Sequence, residues 1–155
     1  MLPVEAHLVL NHVPLVALVI GLVFFIAGLK RPSGWSQHAG LRIFVATGVA
    51  VLLVSGSGLV SASVLAEAPW LDSDALSRHQ LAGILTLVVL LGLGTLSGAL
   101  SLRWRNTPAS SARTNVAVLF LAIAGLCASM WTAYLGGTLR HTELGRSAPA
   151  VTRSR

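Results

Sequence analysis

Apolar positions in this chain come in four long runs, not in the alternating or 3.6-residue stripes of a water-soluble fold. No Asp, Glu, Lys or Arg occurs within 6–29, 43–66, 79–102 or 114–139. Each run reaches the roughly 20 residues needed to cross a hydrocarbon core. The runs predict four transmembrane helices at about 6–29, 43–66, 80–102 and 114–136. The links at 30–42, 67–78 and 103–113 are short, so neighbouring helices should run antiparallel. The expected fold is all-α: an integral membrane four-helix bundle within a single domain, 1–145, followed by a disordered tail at 146–155.

Composition agrees. Hydrophobic residues make up 54% of the chain and charged residues 10%, against about 25% charged in a soluble domain. The formal charge of +6 does not point to nucleic acid, because the basic residues sit in short links and in the tail. That placement is a topology signal. The first and third links hold Lys30, Arg31, Arg42, Arg103, Arg105 and Arg113 and no acid. The opposite face holds Glu5, Glu67, Asp72, Asp74 and Glu143, with only Arg78 and Arg140 as cations outside the tail. By the positive-inside rule, both termini and the second link lie outside. In a bacterium this is the periplasmic face of the inner (cytoplasmic) membrane. The first run has an acid and no base before it, and it ends at Lys30-Arg31, so it is expected to be a retained span and not a cleaved leader.

Single residues refine this picture. Cys127, the lone cysteine, excludes a disulfide framework and is expected as a small buried side chain. Trp104 and Trp70 have the placement of interfacial anchors. Trp131 and Tyr134 are either anchors or the lining of a site. Gly94-x-x-x-Gly98 is a close-packing pattern. The second helix is slim, with Gly48, Gly56, Gly58, Ser55, Ser57, Ser61 and Ser63. Such residues serve tight helix contact or leave room for a flat cofactor.

The histidines carry the candidate chemistry. Placed by depth at about 1.5 Å per residue, His7, His12, His79 and His141 fall in one layer at the outer mouth of the bundle. His38 alone lies on the inner side, in a polar turn, where solvation accounts for it. One interfacial histidine carries little information. Four in a layer, drawn from three helices or helix ends, make a functional-site candidate. Neutral imidazole ligates haem iron, copper and zinc. Few methionines or cysteines are available to complete a copper or zinc site, and Arg78 and Arg140 directly precede His79 and His141. Arginines at those positions suit the propionates of a haem b. His7 and His12 are five apart, about 140° around a helix, so one flat ligand cannot easily use both. His12, the deeper, is the favoured ligand, with His7 second or accessory. Asn11 is placed to orient His7 by hydrogen bond. Pro14 frees the carbonyl of Leu10 and should bend the helix there.

Three stretches also resemble a known group. "HLVLNHVPL" at 7–15, "SRHQ" at 77–80 and "LGGTLRHTEL" at 135–144 are similar to small, uncharacterised four-helix bacterial membrane proteins often described as haem-b proteins. The group's patterns are H-x-x-x-N-H-x-P opening helix one, a histidine opening helix three, and G-G-x-(I/L)-R-H-x-E after helix four. They carry over to His7, Asn11, His12 and Pro14, to His79, and to Gly136, Gly137, Arg140, His141 and Glu143. Such relatives often have an acid just after the late glycine of helix two, where this chain has Ser57 after Gly56.

The resulting expectation is a membrane-anchored b-type cytochrome-like electron carrier, or the membrane subunit of a larger redox complex. Its partners would be the lipid bilayer, other membrane or periplasmic redox subunits, and a quinone. With no histidine in the inner half of any span, two stacked haems wiring the membrane from face to face are not expected. The alternatives are a cofactor-free structural or accessory subunit, or a copper- or zinc-binding membrane protein with His7, His12, His79 and His141 as ligands. An independent hydrolytic enzyme is not indicated, because no nucleophile–base pair or phosphate loop is present.

Overall fold

The computed structural model describes residues 2–30, 34–65, 68, 71–104 and 111–146, with side chains from Val4 to Leu139 within those ranges. Five helices account for nearly all of them: α1 (Leu2–Leu10), α2 (His12–Leu29), α3 (Trp35–Leu65), α4 (Ser73–Arg103) and α5 (Ala112–Arg146). Among the described residues, four segments are long and apolar enough to cross a membrane: Val4–Leu29, Trp35–Leu65, Ser73–Arg103 and Ala112–Leu139.

The first of these is interrupted at Asn11, a turn residue between α1 and α2 whose φ of −63° stays helical. Its N–H donates to the carbonyl of His7 at 3.0 Å. Pro14 lies three residues on and cannot donate to the carbonyl of Leu10, so the regular ladder is weakest here. The other helices outrun the apolar stretches. Asp72 caps α4, its carboxylate accepting from the N–H groups of Asp74 (3.0 Å) and Ala75 (3.2 Å), so the helix starts nearly two turns before the apolar run. Helix α5 continues to Arg146, about ten residues past its expected end. Hydropathy measures the greasy part of a helix, and polar turns extend it beyond.

Packing follows the small residues. Leu18, Phe25, Leu41, Phe44, Val51, Leu90, Leu93, Val118 and Ala122 form the buried core. Phe25 and Phe44 lie with ring centroids 5.9 Å apart. Across α2 and α3, Gly21 faces the Phe44 ring and Gly28 the backbone of Gln37. Across α3 and α4, Gly48 meets Gly94, and a Cβ on Gly94 would stand 3.1 Å from the Cα of Gly48. Across α4 and α5, Leu90 fills the notch at Gly125. The Gln37 side chain donates to Asn115 Oδ1 at 2.8 Å, tying α3 to α5. Outward faces are apolar instead of charged: Val23 (62% exposed), Leu53 (65%), Val88 (62%) and Phe120 (70%). That surface suits contact with lipid.

Three readings of single residues change. His38 is not a solvated turn residue; it lies in the first turns of α3, half-buried, edge-on to Trp104 at 5.3 Å. Trp104 packs inward on that ring and against the core, so it is more than a surface anchor. Cys127 faces outward instead of being buried, an exposure that a weakly polar thiol tolerates in an apolar setting. Trp70 lies outside the described residues.

Candidate functional site

Two of the predicted histidines, His7 of α1 and His79 of α4, are held by neighbouring helices, His7 against α3 and His79 against α5. Both rings are half-buried. Each rests on a glycine of a neighbouring helix. A Cβ on Gly58 of α3 would stand 3.0 Å from His7 Cε1, and a Cβ on Gly136 of α5 would stand 3.0 Å from His79 Cε1. Any larger residue at either position would displace the imidazole. The small residues of the bundle thus serve two ends: Gly48 and Gly94 let backbones touch, while Gly58 and Gly136 seat rings.

The hydrogen bonds assign a tautomer to each ring. His79 Nδ1 lies 3.1 Å from the carbonyl oxygen of Thr132. A carbonyl only accepts, so Nδ1 carries the hydrogen and Nε2 the lone pair. His7 Nδ1 lies 3.0 Å from Ser57 Oγ. That hydroxyl has one hydrogen, which it donates to the carbonyl of Val54 at 2.8 Å. Ser57 therefore accepts from His7 Nδ1–H, and Nε2 of His7 again holds the lone pair. An imidazole that donates Nδ1–H to a fixed acceptor is oriented as a metal-ligating histidine is. Below the pair, the hydroxyls of Thr86 and Thr132 meet at 2.9 Å and hold α4 against α5.

The remaining candidates fall elsewhere. His12 is exposed, and its Nδ1–H donates to the carbonyl of Leu8, one turn back, at 2.9 Å. Of the two histidines in the first span, the inward one is His7. Asn11 is half-buried; the partner on His7 Nδ1 is Ser57, so the orienting task expected of Asn11 falls to the serine. Arg140 and His141 lie within the α5 backbone, but their side chains, with that of Glu143, lie outside the described residues. Among the described residues, no group of three or more His, Cys, Asp or Glu side chains is placed to hold a metal ion.

Arg78 precedes His79 by about 100° of helical rotation and points into a separate feature. This is an open groove of about 500 Å³ between α4 and α5, lined by Arg78, Leu81, Leu85, Trp131, Tyr134 and Thr138 among others, and by no histidine. Trp131 and Tyr134 pair there, tilted by 31° with centroids 5.8 Å apart. They are thus lining residues of a groove and not only isolated anchors.

Sequence reasoning missed Ser57, Thr132 and Gly58 as members of the site. A usable signal was present for two of them: the Ser57-Gly58 step late in α3, at the level of His7. For Thr132, whose backbone carbonyl is what matters, no side-chain signal exists. No family model matches the chain, and no curated protein or solved structure is significantly similar to it.

Proposed function

We propose that the chain is a b-type cytochrome-like electron-transfer protein of the bacterial inner membrane, in which His7 and His79 would hold a haem. The observation that carries this reading is the matched pair of imidazoles, each donating Nδ1–H to a fixed acceptor and each leaving Nε2 as its lone-pair nitrogen. Haem suits this donor set because the porphyrin supplies four nitrogens and the protein need add only one or two. Zinc and copper sites call for three or four protein ligands. The glycines beneath both rings fit the same role, since a seat without a side chain keeps an imidazole from tilting away.

When bound, the haem supplies reversible one-electron chemistry. The chain's own residues do the rest. Ser57 and Thr132 hold the two rings in one tautomer and orientation, which favours ligand basicity at Nε2. The bundle is antiparallel throughout, with both termini and the link at 67–78 on the periplasmic side. The pairings of residue 7 with 57, 21 with 44, 48 with 94 and 90 with 125 favour this course, as does the charge asymmetry of the links. The histidine pair then lies near the periplasmic face, where a quinone or a redox subunit on that side would be the partner.

The test is an optical spectrum with a pyridine haemochrome assay on protein purified from haem-replete cells. A Soret band that shifts on reduction, absent in both His7→Ala and His79→Ala, is the expected result. A folded, colourless wild-type protein would overturn the proposal in favour of a cofactor-free accessory subunit, or, if elemental analysis finds them, of copper or zinc.

A further inference from the structure

The groove between α4 and α5 is not explained by the histidine pair. Helix pairings order its two ends. His79 sits beside Gly136 and Leu90 beside Gly125, so Arg78 and Thr138 share one end, and Leu85 and Trp131 the other. Seven residues separate Arg78 from Leu85, about 10 Å along a helix. The groove is therefore amphipathic along its length. A guanidinium and a hydroxyl stand at one end, and a leucine- and tryptophan-lined channel runs from them into the span.

Arg78 is exposed and has no acidic partner among the described residues, although Asp74 lies one turn before it. An exposed guanidinium at the membrane edge attracts an anionic headgroup. A neutral amphiphile such as a quinone would fill the channel and leave that charge uncompensated. An anion attached to an apolar chain satisfies both ends, and a phosphate accepts the guanidinium's paired N–H groups well.

We propose that this groove binds an anionic phospholipid, with the phosphate held at Arg78 and an acyl chain laid along Leu81, Leu85 and Trp131. The claim does not depend on the histidine pair. It is tested with the full chain purified in mild detergent, by measuring retention of added phosphatidylglycerol against phosphatidylcholine by native mass spectrometry. Phosphatidylglycerol should be preferred. The preference should fall about fivefold in Arg78→Gln and weaken as salt is raised. Thr138→Trp, which fills the polar end of the groove, should lose phosphatidylglycerol while Arg78 remains. Equal retention of the two lipids by the wild type would overturn the proposal. So would an undiminished preference in either variant. Displacement of the lipid by a short-chain ubiquinone, with Arg78→Gln binding that quinone as well as wild type, would mark the groove as a quinone site instead and overturn it too.

Discussion

Adjacent glycines near the end of α5 should respond to the same substitution in opposite ways. A Cβ on Gly136 would stand 3.0 Å from His79 Cε1 and 3.4 Å from Nδ1. Carbon atoms prefer about 3.5–4.0 Å, so in Gly136→Ala the ring must retreat by about 0.5 Å. Its bond to the Thr132 carbonyl is already 3.1 Å, near the long end of the N–H···O range, and would be lost. That loss costs about 1 kcal/mol. Replacing glycine by alanine inside a helix returns about 1 kcal/mol. Stability should therefore change little, while haem affinity falls about tenfold or more through the misdirected ligand. Gly137 has nothing within 4 Å of its Cβ position, so Gly137→Ala should gain about 1 kcal/mol and bind haem as wild type does. Haem retention by pyridine haemochrome and unfolding in detergent with added denaturant read the two effects separately. Equal haem retention in the two variants would refute the seating of His79 on Gly136.

Ser57→Ala removes the acceptor for His7 Nδ1–H and should weaken haem binding about tenfold, measured by haem titration, whereas Ser57→Asp should restore binding and lower the midpoint potential seen by redox titration. His12→Ala should leave haem content unchanged, because that ring is exposed and bonded to its own helix; a colourless His12→Ala would return the ligand role to it. Gly94→Leu drives a side chain into the Gly48 backbone and should destabilise the bundle by about 1–3 kcal/mol or more, read by denaturant unfolding. Phe44→Ala, at a fully buried ring, should cost about 3–5 kcal/mol by the same measurement.

The spans were legible because uncharged runs of more than twenty residues have few other uses. The shared level of His7 and His79 followed from counting depth along the helices. Which histidine turns inward was not legible. In a water-soluble helix the apolar stripe marks the buried face, but here lipid-facing Val9 and Val16 are as apolar as buried Leu18 and Phe25. Depth therefore favoured His12, while rotation, which decides the matter, left no hydropathy signal. The informative residues were small ones on other helices: Gly58 with Ser57 opposite His7, and Gly136 opposite His79. For Arg78, too, rotation is what the structure adds. Adjacency to His79 in sequence suggested a shared ligand, yet neighbours in a helix point about 100° apart, and the arginine faces the groove.

The most direct test of the central claim is low-temperature electron paramagnetic resonance of the oxidised protein. The wild type and His12→Ala should show a low-spin ferric haem with two axial imidazoles, and His7→Ala or His79→Ala should each abolish that signal. A low-spin signal that survives loss of either His7 or His79 would contradict the account.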